Sequence, residues 1–312
     1  MNILITGGAG YIGSVLTQNL LSYSEFWKTK CNVTVIDNLM YNQTPLNHLC
    51  HYKNFRFYRG DVRVKNDILP ILKQADVIIP LAALVGAPLC DRDPINATSI
   101  NKDAIFMMLD YLDKDQLVIM PTTNSAYGSG DNCTEESELK PISRYAIDKV
   151  EVEKKLMDHP NAVSLRLATV FGMSPRMRTD LLVNDMTYRA VKDGFVVLFE
   201  SHFKRNYIHV RDVVSAFEWG LNNTDMRGQI YNVGLSSANV SKRELCETIK
   251  KYIPRFEIID APIGVDKDQR NYVVSNAKIE ALGFQPHYTL DDGIQELIKG
   301  FSMMKNFQYG NV

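Results

Sequence analysis

Apolar residues in the first half of the chain fall into short runs separated by longer segments of helical period. Residues 2–6 form a run of strand length, and 11–21 follow with Ile12, Val15, Leu16 and Leu20 along one helical face. Residues 31–36, 55–58, 77–81, 117–120 and 163–167 repeat the strand pattern. Helical stretches at 95–112 and 145–157 separate the last three. Strands alternating with helices predict βαβ units, and strands that are apolar throughout predict a sheet covered on both faces. The expected fold is α/β: a Rossmann-like, doubly wound parallel sheet with a smaller α+β part toward the C-terminus.

Beyond Gly172 the pattern changes. Short strands (196–199, 205–209, 229–233) interleave with helices at 181–192 and 213–222. This predicts a division into residues 1–172 and 173–312, partly intertwined. No repeat, low-complexity tract or Gly/Ser/Pro-rich linker interrupts the chain.

Composition narrows the class. Lys plus Arg number 35 and Asp plus Glu 36, a net charge of −1, which argues against nucleic-acid or anionic-membrane partners. No apolar run reaches the roughly 18 residues needed to span a bilayer, and the N-terminus lacks a signal-peptide pattern. A cytoplasmic protein is expected. Five scattered cysteines (Cys31, Cys50, Cys90, Cys133, Cys246) without a CxxC pair predict reduced thiols and no metal site.

Glycines Gly7, Gly10 and Gly13 stand between the first strand and the first helix, around Tyr11 and Ile12. Gly7 suits a tight turn, Gly10 lets backbone approach a pyrophosphate, and Gly13 lets helix pack on strand. The helix N-terminus would face the phosphates with its N–H groups. Asp37, with Asn38, ends the second strand, where a carboxylate accepts ribose hydroxyls and repels a 2′-phosphate. NAD is therefore expected rather than NADP. Asp61 and Val62 after the third strand are expected at the adenine, and Leu81, Ala82 and Ala83 lie along the cofactor.

Tyr145 and Lys149 sit four residues apart on one face of an expected helix. A phenol of pKa about 10 is a poor base near neutrality, and a neighbouring ammonium stabilises its phenolate. Thr123, at the carboxyl end of the fifth strand, falls where open α/β sheets bind ligands. The three together predict a base, its cationic support and a hydroxyl that orients the reacting oxygen.

These motifs, in this order, resemble the extended short-chain dehydrogenase/reductase family of nucleotide-sugar epimerases, dehydratases and dehydrogenases. The likeness runs through GGAGYIG, Asp37, Gly60-Asp61-Val62, Leu81-Ala82-Ala83, Asn101, Thr123, Tyr145-x-x-x-Lys149 and the 205–212 segment. It implies an NAD cofactor touched also by Asn101, and a nucleotide-binding first part before a nucleotide-sugar-binding second part. It further implies substrate contacts from Val85, Asn124, Thr169, Arg176, Arg178, Asn184, Arg205 and Arg270. Arg205 and Arg270 match the diphosphate-binding arginines. Where 4,6-dehydratases of the family carry acids after the catalytic Thr, this chain has Asn124 and Ser125. Relatives that epimerise C3 and C5 have a cysteine at Ser125. Redox chemistry at C4 remains, as net oxidation or as 4-epimerisation.

Segments 81–88, 166–178 and 181–190 are similar to a capsule-heptose branch of that family, which implies a GDP-sugar. Net oxidation would leave NADH, with a 2-oxo acid as hydride acceptor held by Arg176 or Arg178. The resemblance also implies a homodimer through the 95–112 and 145–157 helices, where Met107, Met108, Tyr111 and Leu112 offer an apolar surface.

Overall fold

The computed structural model describes residues 1–22, 31–263 and 270–304. Seven parallel strands form the central sheet, in the order Gln229–Val233, Ala162–Leu167, Leu117–Thr123, Val77–Pro80, Asn2–Thr6, Asn32–Asp37, Phe55–Arg59. The sheet is Rossmann-like, as the apolar runs predict. Alternation along each strand divides its side chains between two cores. Ile3, Ile5, Val33, Val35, Ile79, Ile119 and Leu165 face one, and Leu4, Ile36, Ile78, Val118 and Met120 the other. Both faces of the central strands Asn2–Thr6, Val77–Pro80 and Leu117–Thr123 are covered, which is why their cores read as apolar, whereas the edge strand Phe55–Arg59 is largely exposed.

Strand order reverses between Asn2–Thr6 and Val77–Pro80. At such a switch point the connecting loops part and leave a crevice beyond the strand carboxyl ends. The glycine turn, the 81–86 loop and Thr123 all open there.

The helix expected over 95–112 is not continuous. Pro94–Thr98 is capped by the Asp93 side chain, a π turn occupies Ser99–Asp103, and Ala104–Asp110 resumes the α form. Such turns bulge a helix and re-aim its side chains. Met108, expected at an outer apolar face, is instead core, 3% exposed, whereas Tyr111 is exposed.

The rest of the chain adds a three-stranded sheet ordered Asn239–Ser241, Lys204–His209, Thr169–Phe171, and two strand pairs. One pair, Ser129–Cys133 with Asn271–Val274, brings Arg270 back to the crevice. The strand Gln229–Val233 returns from the second part to complete the central sheet. Among the described residues no helix is long and apolar enough to cross a membrane, and no cluster of His, Cys, Asp or Glu could hold a metal.

Candidate active site

Gly7 adopts φ +68°, and a Cβ there would stand 2.5 Å from the Ala82 backbone nitrogen. A side chain at Gly13 would meet the Gly7 carbonyl oxygen at 2.5 Å. Both positions therefore demand glycine. The helix Tyr11–Leu21 opens at Gly10 with no side-chain cap, a form suited to an anion.

Two cavities flank this turn. The smaller, about 90 Å³, is lined by Gly7, Gly10, Asp37, Asn38, Asp61, Val62, Leu81, Ala82 and Ala83, among others. The larger, about 450 Å³, is lined by Tyr11, Ile12, Gly13, Leu81, Ala83, Val85, Thr123, Tyr145, Lys149 and Thr169, with Arg176, Arg178, Arg205 and Arg270. Glycine turn, acidic strand end and uncapped helix thus fit an elongated dinucleotide running from the small pocket into the cleft.

Asp37 accepts hydrogen bonds from Ala9 N–H (3.0 Å) and Leu39 N–H (2.8 Å), pinning the glycine loop to the second strand. Burial raises its carboxyl pKa against those bonds. Asp61 is engaged differently. Arg63 grips both its oxygens at 2.9 and 2.7 Å, and this pair lowers the Asp61 pKa. Asp61 lines the small pocket with its charge already matched.

The strand Leu117–Thr123 runs three residues further than its apolar run and delivers Thr123 to the cleft. Thr123 Oγ1 accepts from Ser125 N–H at 3.1 Å and donates to Ser125 Oγ at 3.0 Å. Arg270 donates to the same Ser125 Oγ. Tyr145 and Lys149 reach the cleft from the helix Arg144–Leu156, capped by Ser143. Burial pushes the Tyr145 phenol up to about 12, while Arg178 and Arg270 pull it down. Burial drives Lys149 down to about 8, and its Nζ donates to the Pro121 carbonyl at 3.3 Å.

The rest of the cleft lining is rich in cations. Arg178 pairs with Asp180, and Arg205 lies 5.6 Å from the Tyr272 ring centroid. Lys242, which sequence patterning did not single out, joins them at the wall. Nothing local marks it: it is one more lysine at the start of a helix.

Three expected contacts lie outside both cavity walls. Asn101, expected at the cofactor, is fully buried and clamps Leu84, accepting its N–H at 2.8 Å and donating to its carbonyl at 2.9 Å. Asn184, expected at the substrate, accepts Gly172 N–H and donates to the Arg178 carbonyl and the Tyr11 hydroxyl. It holds the loop that carries Arg178. Asn124, also expected at the substrate, is fully buried, and neither its Oδ1 nor its Nδ2 has a hydrogen-bond partner among the described residues. Asn101 lies in the π turn, Asn124 in a 3-10 turn and Asn184 in an α-helix, and all three are fully buried by tertiary packing.

The chain is 27% identical over 317 residues to the low-salt glycan biosynthesis protein Agl12 of Haloferax volcanii, covering 96% of this chain and 97% of that one. It is 27% identical to a dTDP-glucose 4,6-dehydratase of Streptomyces niveus, covering 96% and 93%. In fold it superposes on the NAD complex of Thermus thermophilus UDP-glucose 4-epimerase with a TM-score of 0.82 at 24% identity, across 97% of this chain and 99% of that one. Residues 3–234 match the model of one family, and by that match the chain belongs to the NAD dependent epimerase/dehydratase family.

Proposed function

We propose that this protein is a nucleotide-sugar 4-dehydrogenase, oxidising GDP-D-glycero-α-D-manno-heptose at C4 to its 4-keto form for capsular polysaccharide synthesis. The observation that carries the reading is one cleft shared by a phenol, an ammonium group, a hydroxyl and four arginines. When bound, NAD⁺ supplies the hydride acceptor and a positive ring. Tyr145 takes the proton from the C4 hydroxyl. Its buried phenol needs added positive charge to act near neutrality; Arg178 and Arg270 already lower its pKa, and the Lys149 ammonium in the same cleft is assigned the remaining support. Thr123, oriented by Ser125, holds the reacting oxygen. Arg205 and Arg270 grip the diphosphate in charge-assisted bonds. Neither Asn124 nor Ser125 carries a carboxyl group, so elimination of water lacks its acid. The GDP-heptose assignment rests on the branch likeness of segments 81–88, 166–178 and 181–190.

Net oxidation leaves NADH, and in this reading a 2-oxo acid takes back the hydride, its carboxylate held by Arg178. The test is incubation with the GDP-heptose, with and without a 2-oxo acid, read by mass spectrometry and NMR. A product lighter by H₂ supports the dehydrogenase. Unchanged mass with inverted C4 makes the protein a 4-epimerase instead. No turnover of this sugar beside rapid turnover of UDP- or dTDP-hexoses removes the heptose assignment.

A further inference from the structure

We propose that Arg176, stacked on Tyr41, is a clasp that closes over the dinucleotide from the second part of the chain and sets how tightly the cofactor is held. The proposal rests on the reading that the glycine turn holds NAD. It moves Arg176 from the substrate, where sequence likeness puts it, to the cofactor.

Arg176 is 2% exposed, yet it lines both cavities, as do Tyr41, Gly7 and Gly10. Among the described residues lining the small pocket it is the sole cationic side chain, set against Asp37 and Asp61. Its backbone is tied to the helix that opens at the glycine turn. Arg176 N–H donates to Ser14 Oγ at 3.4 Å, and Ser174 Oγ donates to the Tyr11 carbonyl at 2.7 Å. The guanidinium centre lies 4.3 Å from the Tyr41 ring centroid, a stack that fixes the orientation of its donors. Tyr41 comes from the loop after the second strand, and its buried hydroxyl has no partner among the described residues.

The pair therefore bridges two loops across the span between the adenosine pocket and the cleft. The ligand group that must cross that span is a diphosphate. The glycine turn offers it N–H groups and no charge. A planar guanidinium on the other side supplies charge-assisted, two-pronged bonds. For the cofactor to leave, Arg176 and Tyr41 must part.

The test titrates NADH into the full-length protein freed of cofactor, following nicotinamide fluorescence, and measures the cofactor that co-purifies. Arg176→Met should raise the Kd about tenfold or more, the scale of a lost hydrogen bond to a charged group. Arg176→Lys should recover part of the loss, Tyr41→Leu should fall between, and Arg205→Met should bind NADH as the wild type does. Circular dichroism confirms folding of each variant. Wild-type NADH affinity in both Arg176→Met and Tyr41→Leu overturns the clasp, as does an effect of Arg176→Met confined to the KM for nucleotide sugar. Gly13→Val separates the two readings, because a side chain there collides with Gly7 and Gly8. If Gly13→Val alone loses NADH, the clasp fails and the cofactor site stands. If Gly13→Val also binds NADH normally, the glycine-turn reading fails and takes the clasp with it.

Discussion

Glu153 and Arg166 form a buried ion pair, 2.6 Å apart, that joins the helix of Tyr145 and Lys149 to the central sheet. Glu153 lies one helical turn beyond Lys149 and shares its face. Its Oε2 accepts the hydroxyls of Thr122 (3.0 Å) and Ser164 (2.7 Å). Arg166 donates to the Tyr127 hydroxyl at 3.0 Å, which donates onward to Asn232 on the edge strand. One network thus fixes the helix of Tyr145 and Lys149 against the strand of Thr123. Its extra hydrogen bonds are what make burial of two charges tolerable.

Removing one partner leaves the other charge unmatched. Glu153→Gln should cost about 3–5 kcal/mol of stability, measured by denaturant unfolding. Its kcat should fall as the helix shifts. An unfolding midpoint equal to the wild type would show that the pair carries no net stability.

Tyr145→Phe should lower turnover roughly 10²-fold or more, the scale of a lost general base, with little change in KM. Lys149→Met should be equally impaired yet more stable. The Lys149 pKa is lowered by burial to about 8, below its unfolded value, so the folded state holds the ammonium less favourably. That deficit is fully present below pH 8 and fades as pH rises through the unfolded lysine pKa. Thermal melts of the cofactor-free protein at pH 7 check it: a Lys149→Met variant that melts lower than wild type contradicts the burial cost.

Glu296 gives the acid limb. Burial raises its pKa, but the hydrogen bond at 2.6 Å with His209 and the pairing with Arg211 outweigh burial and hold it at about 2. The folded pKa lies below the unfolded one. Stability from Glu296 is therefore complete above the unfolded glutamate pKa and drains away as pH falls toward 2. Glu296→Gln should flatten the stability–pH curve in that window. A curve parallel to wild type there would deny the linkage.

Asn101→Leu should destabilise by about 1–3 kcal/mol for each Leu84 backbone group it leaves buried and unpaired. Because Leu81, Ala82 and Ala83 line the small pocket, NADH affinity should fall with stability. Weakened NADH binding with unchanged unfolding would place the Asn101 amide on the cofactor after all.

Features that depend on near neighbours along the chain were readable in advance. The β-rich apolar run Ile3–Ile5 marks Asn2–Thr6 as a strand wherever it lies, and glycines at 7, 10 and 13 describe a turn whose geometry is local. Tyr145 and Lys149 share a face because helical spacing alone puts them there. Arg166 sits within the 163–167 run, but its burial and its partner Glu153 emerge only from the fold. Other features depend on residues far apart in the chain. Arg270 meets Ser125 across 145 positions, and Arg176 meets Ser14 across 162. Nothing in the pattern around Asn101 or Asn184 distinguishes an amide that grips backbone from one that grips ligand. That distinction arises only when packing excludes water and leaves each buried N–H and carbonyl one available partner.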